Sequence, residues 1–281
     1  MTRRTIEFLV ILTLSCLVAP LAAEAQPPTH VHRIGWLANA TPGRGPLASG
    51  QKSSEEAFLE GMRALGYVEG QNLVMEYRGA EWQYERFPAL AAELVRLPVD
   101  LLLVANTPGA LAAKHATTTI PIVMVGISDP VGSGLVASLA RPGGNITGLS
   151  VMRPDLVGKH LEILRDVLPT VSRVAVLRNP ANPNHALSVR AAEVAAQSLG
   201  VQLHPVEARG PDAFDRAFAA MTRAHAGALL VLGDPLFVQH RRRLAELAAT
   251  SRLPTMHQIQ CRAFVEAGGL LCYGPSLLDQ W

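Results

Sequence analysis

Apolar positions along the chain switch repeatedly between the spacing of a buried strand and that of a helix face. Arg33 to Ala38 opens the series as a short apolar run of strand type. After a loop rich in glycine and proline, Phe58, Leu59, Met62 and Leu65 recur at helical spacing, and Asn72 to Tyr77 alternates as a strand. Phe87, Leu90, Ala91, Leu94 and Val95 fall at i, i+3, i+4, i+7 and i+8, which predicts a helix burying one face against a sheet. Asp100 to Ala105 is too apolar to keep a wet face, as expected of a parallel strand covered by helices on both sides.

The stretch from Ile120 to Ser150 reads IPIVMVGISDPVGSGLVASLARPGGNITGLS. It predicts a buried strand, an Asp129-Pro130 junction, a glycine-spaced apolar helix, and a second strand entered through the tight RPGGN turn. A helix from about Asp155 to Leu168, a strand at Arg173 to Arg178 and a helix at Ala186 to Leu199 continue the alternation. Strands at Val201 to Val206, Ala228 to Leu232 and Leu270 to Tyr273 follow. This order predicts an α/β fold with parallel sheets, and the length predicts two such lobes divided near Ser150. Ala64-Leu65-Gly66-Tyr67-Val68 and Ser198-Leu199-Gly200-Val201-Gln202 both close a helix on glycine and restart a strand. Gly66 and Gly200 fit C′ caps, so the echo favours two lobes of one design.

The amino terminus changes the picture by adding a compartment. Arg3 and Arg4 precede an apolar run from Phe8 to Leu21 that closes on Ala23-Glu24-Ala25, the pattern of a secretory leader cleaved after Ala25. The run is short for a membrane span. The chain carries 25 Lys and Arg against 23 Asp and Glu, a net charge of +2, and loss of the leader leaves that balance unchanged. Charge therefore nominates neither nucleic acid nor an acidic membrane, and Arg241 to Arg243 reads as the solvated face of a helix.

Candidate chemistry is sparse. A polar residue followed by proline recurs just after strands, at Thr107-Pro108, Asp129-Pro130, Asn182-Pro183 and Asp234-Pro235. Each fits a helix N-cap with proline behind it, and each alone needs no ligand. Parallel strands would gather all four on one edge, where helix N-termini offer donors to anions and capping side chains reach cations. A zwitterion suits such an edge, its carboxylate near Thr107 and its ammonium at Asp129 or Asp234. Trp36 lies within a strand and reads as core, Trp82 and Tyr84 follow the second strand on the ligand edge, and Tyr273 precedes Gly274-Pro275 as a hinge would.

No GxSxG, phosphate-binding loop or zinc spacing occurs. Gly43-Arg44-Gly45 and Gly132-Ser133-Gly134 open loose GxGxxA matches, and the second opens the expected helix after a strand, but neither has the full βαβ context, with an acidic residue ending the next strand, that ribose recognition needs. The nine histidines include no HExxH and no i, i+4 pair, so no metal site is expected. An oxidising compartment permits Cys261 and Cys272 to pair, although one is expected to end a helix and the other to lie in a strand, which weighs against it.

Several phrases together resemble one family. They are GYVEGQNLVMEYR (Gly66 to Arg78), YERFPALAAELV (Tyr84 to Val95), TPGALAAKHATTTIPIV (Thr107 to Val123), DPVGSGLVASLARPGGNITGLS (Asp129 to Ser150), RVAVLRNPANPN (Arg173 to Asn184) and AGGLLCYGPS (Ala267 to Ser276). From about Ile34 to Pro275 the chain is similar to bacterial ABC-transporter substrate-binding proteins with the type I periplasmic binding fold. The resemblance implies two Rossmann-like lobes with parallel sheets, joined by crossovers, that close on a small molecule and deliver it to an inner-membrane ABC permease. Some relatives are linked to aromatic amino acids. Carried onto this sequence, the cleft would be walled by Asn39, Thr41, Trp82, Thr107, Asp129, Asn179, Asn182, Asp234 and Tyr273.

The expected layout is a leader over 1–25, an N-terminal lobe over 26–150, a C-terminal lobe over 151–272 and a return segment over 273–281. Relatives continue beyond the YGPS phrase with a helix, a strand and a tail, whereas here Leu277 to Trp281 ends the chain, which implies a shortened copy. The expected product is a periplasmic, monomeric solute receptor without catalytic residues, cofactor or nucleic-acid partner. A ligand-sensing module of the same fold and an inactive copy are the alternatives.

Overall fold

The computed structural model describes residues 30–41, 54–151 and 153–274. The expected leader, the Gly43-Arg44-Gly45 motif and residues Leu277 to Trp281 lie outside the described residues. The described elements belong to one compact unit that starts at His32. They begin with β1 (His32–Ala38), α1 (Ser54–Ala64), β2 (Leu73–Gly79), α2 (Phe87–Arg96), β3 (Leu101–Val104), α3 (Thr107–Ala116), β4 (Ile122–Ser128) and β5 (Ile146–Val151). There follow α4 (Arg153–Val167), β6 (Arg173–Arg178), α5 (Pro183–Leu199), β7 (Gln202–Glu207), α6 (Phe214–Arg223) and β8 (Ala228–Val231). The series ends with α7 (Pro235–Gln239), α8 (Arg241–Thr250), β9 (Thr255–His257), α9 (Cys261–Glu266) and β10 (Leu271–Cys272).

The strands form two five-stranded sheets, ordered β2-β1-β3-β4-β5 and β10-β9-β8-β6-β7. All pairings between these strands are parallel. Numbered within its own half, each sheet follows the order 2-1-3-4-5, so the two lobes repeat one topology. In each, the strand order reverses direction beside the first strand of the half, between β1 and β3 or between β6 and β8. The crevice beyond the carboxyl ends of those strands is where an open α/β sheet takes its ligand.

The central strands are buried on both faces of each sheet, successive side chains pointing to opposite sides. Leu102 and Val104 join one core cluster while Leu103, between them, joins another with Ile34 and Trp36. The second sheet repeats this, with Ala175 and Leu177 on one face and Val174 and Val176 on the other. Trp36 is a core residue, edge-on to Phe58 with ring centroids 5.4 Å apart.

The echoed glycines close their helices in the same way. The Gly66 N–H reaches Arg63 O at 3.0 Å and the Tyr67 N–H reaches Met62 O at 2.9 Å. In the other lobe, the Gly200 N–H reaches Gln197 O at 3.3 Å and the Val201 N–H reaches Ala196 O at 3.0 Å. Both glycines adopt left-handed φ, +88° and +64°, a conformation that costs a residue with a Cβ.

Three local expectations are corrected. The stretch after Asp129 is a chain of turns and not a helix. Asp129 itself is left-handed with φ 41°, its Oδ1 accepts the Gly132 N–H at 2.7 Å, and the Leu135 and Val136 amides both turn back to Pro130 O. Leu135 and Val136 are buried by these turns, which is why the segment imitates a helix face although Gly132 and Gly134 disfavour one. At the Thr107-Pro108 site the cap is the preceding residue, Asn106, and Thr107 is already the first helical residue. Finally, Cys261 opens a helix and does not end one, and it is disulfide-bonded to Cys272 at the end of β10. Among the described residues no helix is long and apolar enough to cross a membrane.

Candidate functional site

The carboxyl ends of the central strands face one another across a cleft, and the residues there are mostly caps. Asn182 precedes α5 and accepts the Asn184 N–H on its own Oδ1 at 3.2 Å. Asp234 precedes α7 and accepts the Leu236 N–H at 3.0 Å. Asn106 precedes α3 and accepts the Gly109 N–H at 2.6 Å. Thus amides that the sequence reading offered to an anion are taken by the capping side chains themselves.

Direct side-chain bonds join the lobes at this edge. Tyr84, in a single helical turn before α2, donates its hydroxyl to Asp234 Oδ1 at 2.8 Å. Asn184, in the first turn of α5, donates Nδ2 to Thr107 Oγ1 at 2.7 Å and to the Ser128 carbonyl at the end of β4. Trp82, left-handed at φ 64°, packs against the apolar core of the other lobe.

Asp234 is 0 % exposed, yet its carboxylate is richly met. Besides Tyr84 and the Leu236 amide, Asn182 Nδ2 donates to Oδ2 at 2.9 Å, and His185 Nε2 stands 3.6 Å from the same oxygen. His185 Nδ1 accepts the Asn179 N–H at 2.7 Å, so the ring proton belongs on Nε2, beside Gly233 O at 3.3 Å. A buried carboxylate with this many donors holds the wall together and has no vacant side for a ligand ammonium.

Between the lobes lies a cavity of about 30 Å³, room for a water or two, bounded by Asn106, Thr107, Ser128, Asn182, Asn184 and Gln258 among others. Among the described residues no Asp, Glu, Lys or Arg lines it. Two buried side-chain atoms in its wall lack a partner, the donor Asn106 Nδ2 and the acceptor Asn184 Oδ1.

The residues expected at the cleft therefore divide. Thr107 and Asn182 border the cavity, with Asn179 and Asp234 buried behind them. Asn39 lies at the end of β1, where its carbonyl accepts the Trp82 N–H at 2.9 Å, and neither residue borders the cavity. Thr41 is exposed and bonds Glu81 Oε1 through its amide, at 3.0 Å, and its hydroxyl, at 2.7 Å. Asp129 Oδ1 accepts the Gly132 N–H of its own turn. Tyr273 is 44 % exposed, and its carbonyl faces His160 Nε2 at 2.5 Å, inside the second lobe rather than in the cleft.

Behind the second lobe's wall runs a buried relay. Gln258 Oε1 accepts the Gly233 N–H at 2.9 Å while its Nε2 stands 3.4 Å from His160 Nδ1. Burial pushes the His160 imidazole below its ordinary pKa, against the backbone bonds from Tyr273 and Leu156 that raise it. Sequence reasoning missed Asn106, Asn184, His185 and Gln258. Asn106 and Asn184 were within reach, as polar residues next to the flagged Thr107-Pro108 and Asn182-Pro183 pairs.

A family model described as ABC transporter substrate binding protein matches residues 49–280. A tyrosine-binding protein of Clostridioides difficile strain R20291 is 26 % identical over 221 residues, covering 79 % of this chain and 63 % of that protein. The chain thus spans less than two thirds of that relative's length. A conserved domain protein from Vibrio cholerae O1 biovar El Tor N16961 superposes with a TM-score of 0.78 at 26 % identity, over 89 % of this chain and 80 % of that one. The ABC domain from Streptococcus pneumoniae in complex with L-Trp gives a TM-score of 0.75 at 23 % identity, over 89 % and 80 % of the two chains.

Proposed function

Because the chain belongs to the family of ABC transporter substrate-binding proteins and has the type I periplasmic binding fold, we propose that it is the extracytoplasmic solute receptor of an importer. It binds an amino acid zwitterion, of aromatic type, between its lobes and presents the closed form to an inner-membrane permease. The leader ending at Ala25 exports it, residues 26–150 and 151–272 act as the two lobes, and the segment from Tyr273 onward serves as the hinge return. It works as a monomer and performs no chemistry.

The observation that carries this reading is the pair of cross-cleft bridges, Tyr84 to Asp234 and Asn184 to Thr107. A cavity of about 30 Å³ admits no amino acid until the lobes part, so the bridges must break for entry. In this reading Thr107 and Asn182 face the ligand, Asn179 and Asp234 stiffen the wall behind them, and Asn39, Thr41, Trp82, Asp129 and Tyr273 belong to the rim and hinge. The tyrosine-binding relative and the L-Trp complex support the aromatic amino acid, and a wall without formal charge suits a ligand of zero net charge.

Thermal unfolding across the proteinogenic amino acids tests it. A ligand at 100 times its Kd stabilises by about 2.7 kcal/mol, several degrees of melting temperature for a chain of this size. A rise with tyrosine or tryptophan is expected; no rise with any amino acid refutes the assignment.

A further inference from the structure

The Cys261–Cys272 disulfide stands where the chain leaves the second sheet. Strand β10 is an edge of that sheet, two residues long, and pairs with β9 through Leu271 to Met256 and Cys272 to His257. So short an edge strand frays unless something holds it. Here the disulfide fixes its last residue to the first residue of α9. Both cysteines are half-buried, and Leu270 and Tyr273 on either side of β10 are exposed, so a thiol reagent can approach the bond.

From this bond a row of hydrogen bonds runs inward to the cleft wall. Tyr273, next after Cys272, donates its amide to His257 O at 3.0 Å and presents its carbonyl to His160 Nε2. A carbonyl only accepts, so the His160 proton is on Nε2, and Nδ1 is left to accept from Gln258 Nε2 at 3.4 Å. That orientation of the Gln258 amide turns Oε1 to the Gly233 N–H at 2.9 Å. Gly274 lies against the same glutamine, since a Cβ there would stand 1.9 Å from the Gln258 carbonyl oxygen. Gly233 and Gln258 both border the cavity, and Gly233 precedes Asp234, which carries the Tyr84 bridge. His160 is 1 % exposed, on α4, the helix that follows β5 of the other sheet. One buried imidazole thus joins the helix by which the chain enters the second lobe to the segment by which it leaves the second sheet.

We propose that the disulfide is a redox-controlled clamp on the cleft wall: oxidised, it holds Tyr273 where His160 and Gln258 order Gly233; reduced by a dithiol, it lets β10 fray and frees the row as far as Gly233. In the reduction one thiolate of the dithiol attacks a cysteine sulfur and expels the other cysteine as a thiolate. The dithiol's second thiolate then attacks the mixed disulfide and releases the first cysteine. The protein's S–S bond is exchanged for one in the reductant, and two electrons and two protons pass to Cys261 and Cys272. An oxidising compartment keeps the clamp closed until such a dithiol reaches it. No ligand takes part in this coupling, so it is independent of which solute the cleft takes.

Hydrogen–deuterium exchange of the purified chain without ligand tests the clamp, before and after reduction with dithiothreitol, the two thiols being confirmed by alkylation. Exchange is expected to quicken about tenfold or more both at 269–274 and at 228–236, the peptide that carries the Gly233 amide. Strand β7, at the opposite edge of the sheet, serves as the reference and should keep its rate. The double variant Cys261→Ser, Cys272→Ser should reproduce the reduced pattern with no reductant present, and reoxidation of the wild type should restore the slow one. Gln258→Met removes the amide at a similar side-chain length. It should leave 228–236 fast in the oxidised protein, with no further change there on reduction. An unchanged rate at 228–236 on reducing the wild type makes the disulfide a local staple and overturns the clamp. An equal rise in β7 shows a general loss of stability and overturns it as well. Further quickening of 228–236 on reducing Gln258→Met refutes the route through Gln258.

Discussion

His257 offers a sharp test of how this structure depends on pH. The ring is 1 % exposed at the end of β9, stacked on Phe264 with centroids 3.9 Å apart and planes 20° apart, and neither ring nitrogen has a hydrogen-bond partner. Burial pushes its pKa down from 6.5 to about 3. The unfolded chain therefore takes up a proton that the folded chain refuses, and folding free energy falls as pH drops below about 6.5, by about 1.4 kcal/mol per pH unit for this one group. From pH 6.5 to 4.5 the loss is about 2–3 kcal/mol, and the decline ends near pH 3, where the folded form also protonates. His160 and His240, likewise depressed by burial, add to the acid sensitivity over part of the same window. His257→Leu keeps a similar volume, removes no hydrogen bond and deletes one titration. Urea unfolding at pH 7.5, 6.5, 5.5 and 4.5 should show the variant losing stability less steeply than wild type, with a relative gain of about 2–3 kcal/mol at the lowest pH. Parallel stability curves for the two proteins would mean that His257 is charged, or reached by water, in the folded state, and would refute the reasoning.

Reduction of the Cys261–Cys272 disulfide, or its replacement by alanines, opens a loop with a sequence separation of 11 and should lower stability by up to about 3 kcal/mol, read as a shift of the urea midpoint on adding a dithiol. Tyr84→Phe removes a donor from the buried Asp234 carboxylate and one of the bonds between lobes; a loss of about 2 kcal/mol and a larger radius of gyration by X-ray scattering are expected. Gly200→Ala should cost about 1 kcal/mol, because φ is +64° while the nearest atom to the added Cβ, Arg165 Nη1, stands 3.7 Å away, so the penalty is conformational and not steric.

Fold-level features were legible wherever burial removes choice. Strands covered on both faces lose their interior polar positions, so Asp100 to Ala105 and Arg173 to Arg178 announce β3 and β6 by composition. The C′ glycines were readable because few residues tolerate the left-handed cap they occupy. Helix α6 carries Phe214, Ala217, Phe218 and Met221 on its buried stripe, a period that was there to be read. Strands β9 and β10, of three and two residues, are too short to have a period at all. The turns after Asp129 misled because they bury Leu135 and Val136 at helix-like spacing without helical hydrogen bonds. At the cleft, the sequence marks where caps occur, but it does not say which of a cap's polar atoms the cap itself consumes. That depends on side-chain orientation, and it separates the fully bonded Asp234 from Asn106 and Asn184, each of which keeps one open atom.

The repeated topology makes this separation instructive. Asn39 follows β1 as Asn179 follows β6, and Asn106 caps the helix after β3 as Asp234 caps the helix after β8. In the second lobe these positions form a bonded block, Asn179 with His185 and Ala181, and Asp234 with Tyr84, Asn182 and Leu236. In the first lobe the equivalent residues keep unpartnered atoms, Asn39 Oδ1 and Asn106 Nδ2. Equal positions in the fold have thus taken unequal work, Asn39 and Asn106 keeping open atoms where Asn179 and Asp234 are bonded into a wall. Substitutions should sort accordingly. Asn179→Ala and Asp234→Ala break satisfied buried networks and lower stability before any ligand is added, whereas Asn39→Ala and Asn106→Ser leave unfolding nearly unchanged. Equal destabilisation by the pairs in the two lobes, measured by urea unfolding without ligand, would show that the asymmetry is not energetic.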